Sequence, residues 1–195
     1  MLARAKEDTR LVAELRVRLA RRFFVSVWAR QHHVSCPPEA LETFGRRWAS
    51  DHGVGCRDSW LRANGLTLAT YNRLLAERAL IDWVAWQGPS FFGLDDSQDN
   101  KVDDVRLGTH DRNEFAAVVR AERRFTYAWA QDNGVVPDKC SSEIERNELV
   151  DWVLEQGPSY FGMFWNEELA LLEELQMSGV AARLATATNK KASSR

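Results

Sequence analysis

The chain has 195 residues and a mass of 22.3 kDa, is 45% hydrophobic and 28% charged, and carries 26 Lys and Arg against 28 Asp and Glu. That is enough apolar material for a real core and too much for a disordered chain, and no apolar run reaches membrane-spanning length. A net charge of −2 and a pI near 6.1 argue against nucleic-acid binding by the protein as a whole.

Residues 1–8 lack the apolar stretch of a secretory signal. Three cysteines, Cys36, Cys56 and Cys140, are odd in number and read as free thiols of a cytoplasmic protein. Residues 1–30 hold eight basic and three acidic side chains, a net +5, which leaves −7 for the rest. Such a stretch either packs on its own acidic body or meets an acidic partner or nucleic acid. Within it Leu11, Leu15, Leu19, Phe23 and Val27 recur every fourth residue and predict a long amphipathic helix.

Pro37-Pro38 opens a second helix, on which Leu41, Phe44 and Trp48 share a face. Thr67 caps a third, bearing Leu68, Tyr71, Leu75, Ala79, Trp83 and Trp86. Leu94 to Asp104 is an acidic, weakly apolar linker that lacks the glycine and closing Glu of a calcium loop. Asp111 with Glu114 forms a capping box before Phe115, Val118, Phe125 and Trp129, and Ser142 with Glu145 does so before Leu149 and Trp152. Ser159 caps a last helix through Leu169, Leu172 and Leu175, which Gly179 ends. No alternating strand pattern is present, so the predicted class is all-α.

Six of the eight tryptophans share one local pattern: Trp, four residues, then Gly or His, then an aliphatic residue or Pro. They are Trp28, Trp48, Trp60, Trp83, Trp129 and Trp152. This is the grammar of a helix C-terminus, with Gly in the left-handed position and the next residue folded back on the last turn. Each of the six should therefore stand one turn before a helix end, facing a shared core.

The pattern belongs to a longer repeat. A shift of 69 residues aligns 56–93 with 125–162 without a gap, with 13 of 38 positions identical. About two identities are expected by chance, so the alignment reads as an internal duplication. The predicted organisation is a helical unit over 1–93, an acidic linker over 94–110, a second unit over 111–187 and a polar tail over 188–195. The similarity peaks at Gly88-Pro89-Ser90-Phe91-Phe92-Gly93 and Gly157-Pro158-Ser159-Tyr160-Phe161-Gly162. Phe164, Trp165 and the deformable Met163 follow the second corner. Buried, these rings are the seam between the units. Exposed, Trp86, Phe91, Phe92, Tyr160, Phe161, Phe164 and Trp165 make a groove for a peptide.

Phosphate loops, dinucleotide fingerprints and nucleophile elbows are absent from the sequence. His32-x3-Cys36 and His52-x3-Cys56 have ligand types suited to zinc, but both sit at helix-end motifs and the second repeat has no equivalent. No metal and no cofactor is therefore expected. A cysteine nucleophile served by His32, His33 or His110 needs an adjacency that spacing does not supply. Asp82 and Asp151 occupy equivalent positions before a Trp, either as a carboxylate pair or as exposed acids beside buried rings.

The run Trp60-Leu61-Arg62-Ala63-Asn64-Gly65-Leu66-Thr67, followed by Tyr71, Leu74-Leu75 and Ala79-Leu80, resembles helical peptide-binding segments of SurA-type chaperones. It is also similar to helical segments of TfuA-associated peptide-modification proteins. The resemblance spans about 44–84, with an echo at 113–152, and implies helices that bind an extended or partly folded peptide. No catalytic residue transfers with it, and no parvulin domain accompanies it. The expectation is thus a non-catalytic module holding a peptide or protein partner, accessory to a modifying enzyme, with homodimerisation plausible through the aromatic corners. The alternative is a small enzyme or small-molecule binder with an aromatic pocket and an acid-base group among His32, His33 and His52.

Overall fold

Apolar residues spaced three and four apart place their side chains on one helical stripe, and such stripes can only be buried against each other. The computed structural model describes residues 9–94, 110–135, 143–155 and 167–178, in which there are seven α-helices and no strand. They are α1 (Thr9–Gln31), α2 (Pro38–Asp51), α3 (Arg57–Asn64), α4 (Leu68–Phe91), α5 (His110–Asp132), α6 (Glu143–Glu155) and α7 (Glu167–Met177). The class is all-α. No described helix is long and apolar enough to cross a membrane.

Helix starts follow local chemistry. Pro38 is the first residue of α2, and the Thr67 hydroxyl accepts a hydrogen bond from the Thr70 amide at 3.1 Å to cap α4. Helix α5 begins at His110, ahead of Asp111, so Asp111 lies within the first turn and not at the cap position assigned to it. Ser142, Ser159 and Gly179 lie outside the described residues.

Four of the tryptophan motifs are helix ends with one hydrogen-bond pattern. The amides of Val34, Val54, Leu66 and Val135 donate to the carbonyls of Ala29, Ala49, Leu61 and Ala130 at 2.8–2.9 Å. The residue before each, His33, Gly53, Gly65 or Gly134, has φ between 56° and 70°. His33 holds this left-handed conformation without being glycine. Two side chains at the cap, Asn64 and Asn133, repeat one bond: each Nδ2 donates to the carbonyl of the Trp four residues back, at 2.9 and 2.8 Å. The same geometry closes α1 and α2, outside the aligned repeats, so it belongs to helix ends in general.

The fifth motif behaves differently. Gly88 has φ 79° and ψ 164°, which breaks α4, but a further helical turn follows and closes at Gly93. There the amides of Leu94 and Gly93 donate to Pro89 and Ser90 carbonyls at 3.0 and 3.1 Å. The reason lies in Pro89: with no N–H it cannot supply the closing bond at Gly88, while its fixed φ suits a new helical turn. The sixth motif, at Gly157-Pro158, lies outside the described residues.

The tryptophans do not share one core. Trp28 and Trp129 sit in a cluster built from α1, α4, α5 and α6, and Trp83 packs against it. Trp48 and Trp60 belong to a second cluster of α2, α3 and α4, closed by Met177 of α7. Trp152 stands 41% exposed on α6. Helix α4 is long enough to serve both, with Tyr71 and Leu74 in one cluster and Ile81, Val84 and Ala85 in the other. The larger cluster draws on helices from both sides of residues 94–110.

Helices α1 and α5 run side by side in the same direction: Arg21 faces Glu122 near the middle of both, and His32 faces Asp132 at their C-terminal ends. Between them Phe24 meets Trp129 at 4.6 Å and Trp28 meets Phe125 at 4.7 Å between ring centroids. Such tilted aromatic pairs add to the burial of large apolar area. Helix α1 thus carries one face into the core and leaves its arginine face to a cleft.

Candidate functional site

The cleft forms where α1, α2, α4 and α5 diverge, and it encloses about 860 Å³. Helix α1 supplies Arg18, Arg21 and Arg22, which helical spacing of three and four puts on one face. Helix α2 contributes Phe44 and Arg47, α4 contributes Arg78, Ile81, Asp82 and Trp86, and α5 contributes Val118, Val119 and Glu122. Ala13 and Val17 complete an apolar surface beneath the guanidinium groups.

Five guanidinium groups thus face two carboxylates. Arg47 donates to Asp82 at 2.7 Å and its guanidinium lies 5.5 Å from the Phe44 ring centre, a cation–π contact. Arg22 and Arg78 both donate to Glu174 of α7, whose carboxylate is buried at 4% exposure. Burial pushes the Arg78 guanidinium down to about 10, so it remains charged at neutral pH. Arg21 is less well served. Its nearest carboxylate oxygen, on Glu122, is 3.9 Å away, and its Nε is buried with no hydrogen-bond partner among the described residues. Burial lowers the Arg21 pKa, and burial raises that of Glu122, although Arg22, Arg21 and Arg18 oppose the latter shift.

A second cleft of about 490 Å³ lies on the other side of the Arg22–Arg78–Ile81 wall, between α1, α4 and α7. Its charges are matched. Arg73 donates to Glu173, Arg30 Nη2 donates to the Ser26 hydroxyl at 3.0 Å, and that hydroxyl donates to Glu77 at 3.3 Å.

Of the rings proposed as a binding surface, Trp86 stands 50% exposed on the wall of the first cleft. Phe91 is 62% exposed at the α4 corner, touching Trp83 and Phe92 edge-on. Phe92 goes inward instead, packing edge-to-face on Trp28, Trp83 and Phe125. One corner therefore contains both a seam residue and an exposed one. Tyr160, Phe161, Phe164 and Trp165 lie outside the described residues.

The His/Cys residues do not converge. His32 stacks on Trp28 and bonds Asp132 at 2.9 Å, while His52 stacks on Trp48 and bonds its carbonyl at 2.9 Å. Among the described residues no group of three or more His, Cys, Asp or Glu could hold a metal ion. Cys36 and Cys56 are free thiols. Burial and the charge of Asp82 push Cys36 up, whereas hydrogen bonds from Ser59 lower the exposed Cys56 at the start of α3. Asp82 and Asp151 are not a carboxylate pair: each is held by its own arginine, Arg47 and Arg123, at 2.7 Å.

Of the cleft residues, sequence reasoning proposed Trp86 for binding and weighed Asp82 as half of a carboxylate pair. Residues 1–30 stood out as a basic stretch, but nothing in the sequence joined Arg18, Arg21 and Arg22 to Arg47 and Arg78. Comparison with protein-family models, curated proteins and solved structures finds no match to this chain.

Proposed function

We propose that the protein is a non-catalytic binding module that holds a segment of a peptide or protein partner in the cleft between α1, α2, α4 and α5. One observation carries this reading: a half-exposed tryptophan stands beside an apolar surface in an open cleft of about 860 Å³ rimmed by hydrogen-bond donors. Concave, mostly apolar sites with a few placed polar groups are where proteins hold ligands. The resemblance of residues 44–84 to helical peptide-binding segments agrees with it, since Phe44, Arg47, Arg78, Ile81 and Asp82 fall in that span. Neither of the two clefts is lined by His32, His33 or His52, the groups a general acid-base reading requires.

The test is selection of binding peptides from a random library, followed by titration of the best one against wild type and Trp86→Ala. The expected result is micromolar binding, weakened about tenfold by the substitution, with chemical-shift changes confined to the four cleft helices. Binding that is indifferent to Trp86, or shifts that map elsewhere, would remove the cleft from consideration.

A further inference from the structure

The wall shared by the two clefts divides the arginines by how fully they are paired. Arg47 is matched by Asp82, and Arg22 and Arg78 are matched from behind by Glu174. That leaves two cations on the α1 face. Arg18 is exposed and has no ion pair among the described residues. Arg21 has a carboxylate only at 3.9 Å and a buried Nε without an acceptor. A guanidinium has five N–H donors in a fixed fork, and a buried donor left unmade is costly. A carboxylate entering the cleft is the acceptor that this pair lacks, and charge-assisted bonds to Arg are among the strong ones. Beside the pair, Val17, Val118 and Trp86 offer an apolar surface that an unbroken line of charge would leave unfilled.

We propose that the partner segment is an acidic one, its Asp or Glu carboxylates seated on Arg18 and Arg21 while an adjacent apolar side chain packs on Trp86. The proposal rests on the cleft reading above. Charge complementarity selects this occupant: the cleft's five guanidinium groups meet three carboxylates, Asp82, Glu122 and the Glu174 behind them, in a chain whose net charge is −2. A protein segment with alternating acidic and apolar residues satisfies both kinds of wall, as Arg-lined acidic-motif sites do. A nucleic-acid backbone would meet the acidic remainder of the surface beyond the cleft.

The experiment uses the full chain and three short fluorescein-labelled peptides that share the same Leu and Phe positions and carry Glu, Gln or Lys at the others. Anisotropy should show the Glu peptide binding about tenfold tighter than the Gln peptide, with the Lys peptide weakest and the preference shrinking as salt rises. Arg18→Glu, on an exposed helix position, should remove most of the Glu preference, weakening the Glu peptide far more than the Gln peptide. Equal binding of the Glu and Gln peptides, still weakened by Trp86→Ala, overturns the acidic preference and keeps the cleft. No binding by any peptide, or binding indifferent to Trp86→Ala, overturns both. Tighter binding of the Glu peptide after Asp95, Asp96, Asp99, Asp103 and Asp104 are changed to Asn would identify this chain's own acidic run as the occupant and overturn the partner reading.

Discussion

The two clefts share a wall and a residue type, yet their arginines do different work. On the α7 side, Glu174 is nearly fully buried and takes Arg22 and Arg78 together, while Glu173 takes Arg73. On the α5 side, Glu122 stops 3.9 Å short of Arg21 and Arg18 faces solvent. A buried charge must be paired or it is expensive, so the α7 side is constrained by stability. The α5 side carries a surplus that stability does not use. The lesson is that an arginine count says little until each guanidinium has been matched to its acceptor.

The largest expected effect breaks the matched side. Glu174→Ala strands Arg22 and Arg78 and should cost about 3 kcal/mol, read as a lowered urea midpoint. A midpoint within error of wild type would mean that the network is dispensable and the contrast between the clefts is empty. Next comes the surplus side. Arg18→Ala should change stability by no more than about 0.5 kcal/mol, because an exposed cation with no ion pair among the described residues has little to lose. A loss as large as that of Glu174→Ala would place Arg18 on the structural side of the divide.

Glu122 sharpens the contrast through pH. Burial raises its folded-state pKa above the unfolded value, so the folded chain holds that proton more tightly. Its favourable contribution is complete below the unfolded pKa and is lost as pH rises through the folded one. The Tm of Glu122→Gln minus that of wild type should therefore be near zero in acid and grow more positive toward neutral pH. A difference that becomes more negative over that range would show that the Arg21 attraction outweighs burial. A comparably small effect concerns the frame that carries both clefts. His33 sits at φ 56°, where a Cβ is penalised, so His33→Gly should gain about 0.5 kcal/mol after the entropy of the added glycine. A destabilised variant in thermal melts would show that the His33 side chain does more than end the helix.

Much of the fold was legible because its signals are local. Four helix ends follow from a Trp and a left-handed Gly or His five residues later, since both the positive φ and the closing hydrogen bond lie within six residues of chain. The cap at Thr67 and the start at Pro38 have the same short reach. The break at Gly88 was legible in the same way, as a left-handed glycine followed by Pro89; that a further turn follows it also reflects Pro89, which cannot donate the closing bond. The shared tryptophan core was misread for another reason. Which helices bury Trp48 and which bury Trp28 depends on crossing geometry, and helical period reports only that a face is apolar.

The candidate site was legible only in part. Trp86 was singled out from its place beside the Gly-Pro-Ser corner, and Phe91 and Phe92 were grouped with it although the corner turns one ring out and the other in. By itself, the sequence determined that this protein is built of helices, where four of them end, and that the first is basic, because propensity, capping and period act over a turn or two. The tertiary structure decided which arginines are neutralised and which are left available. That outcome depends on Glu174, Asp82 and Glu122 arriving from three other helices, and on whether each arrives within hydrogen-bond distance.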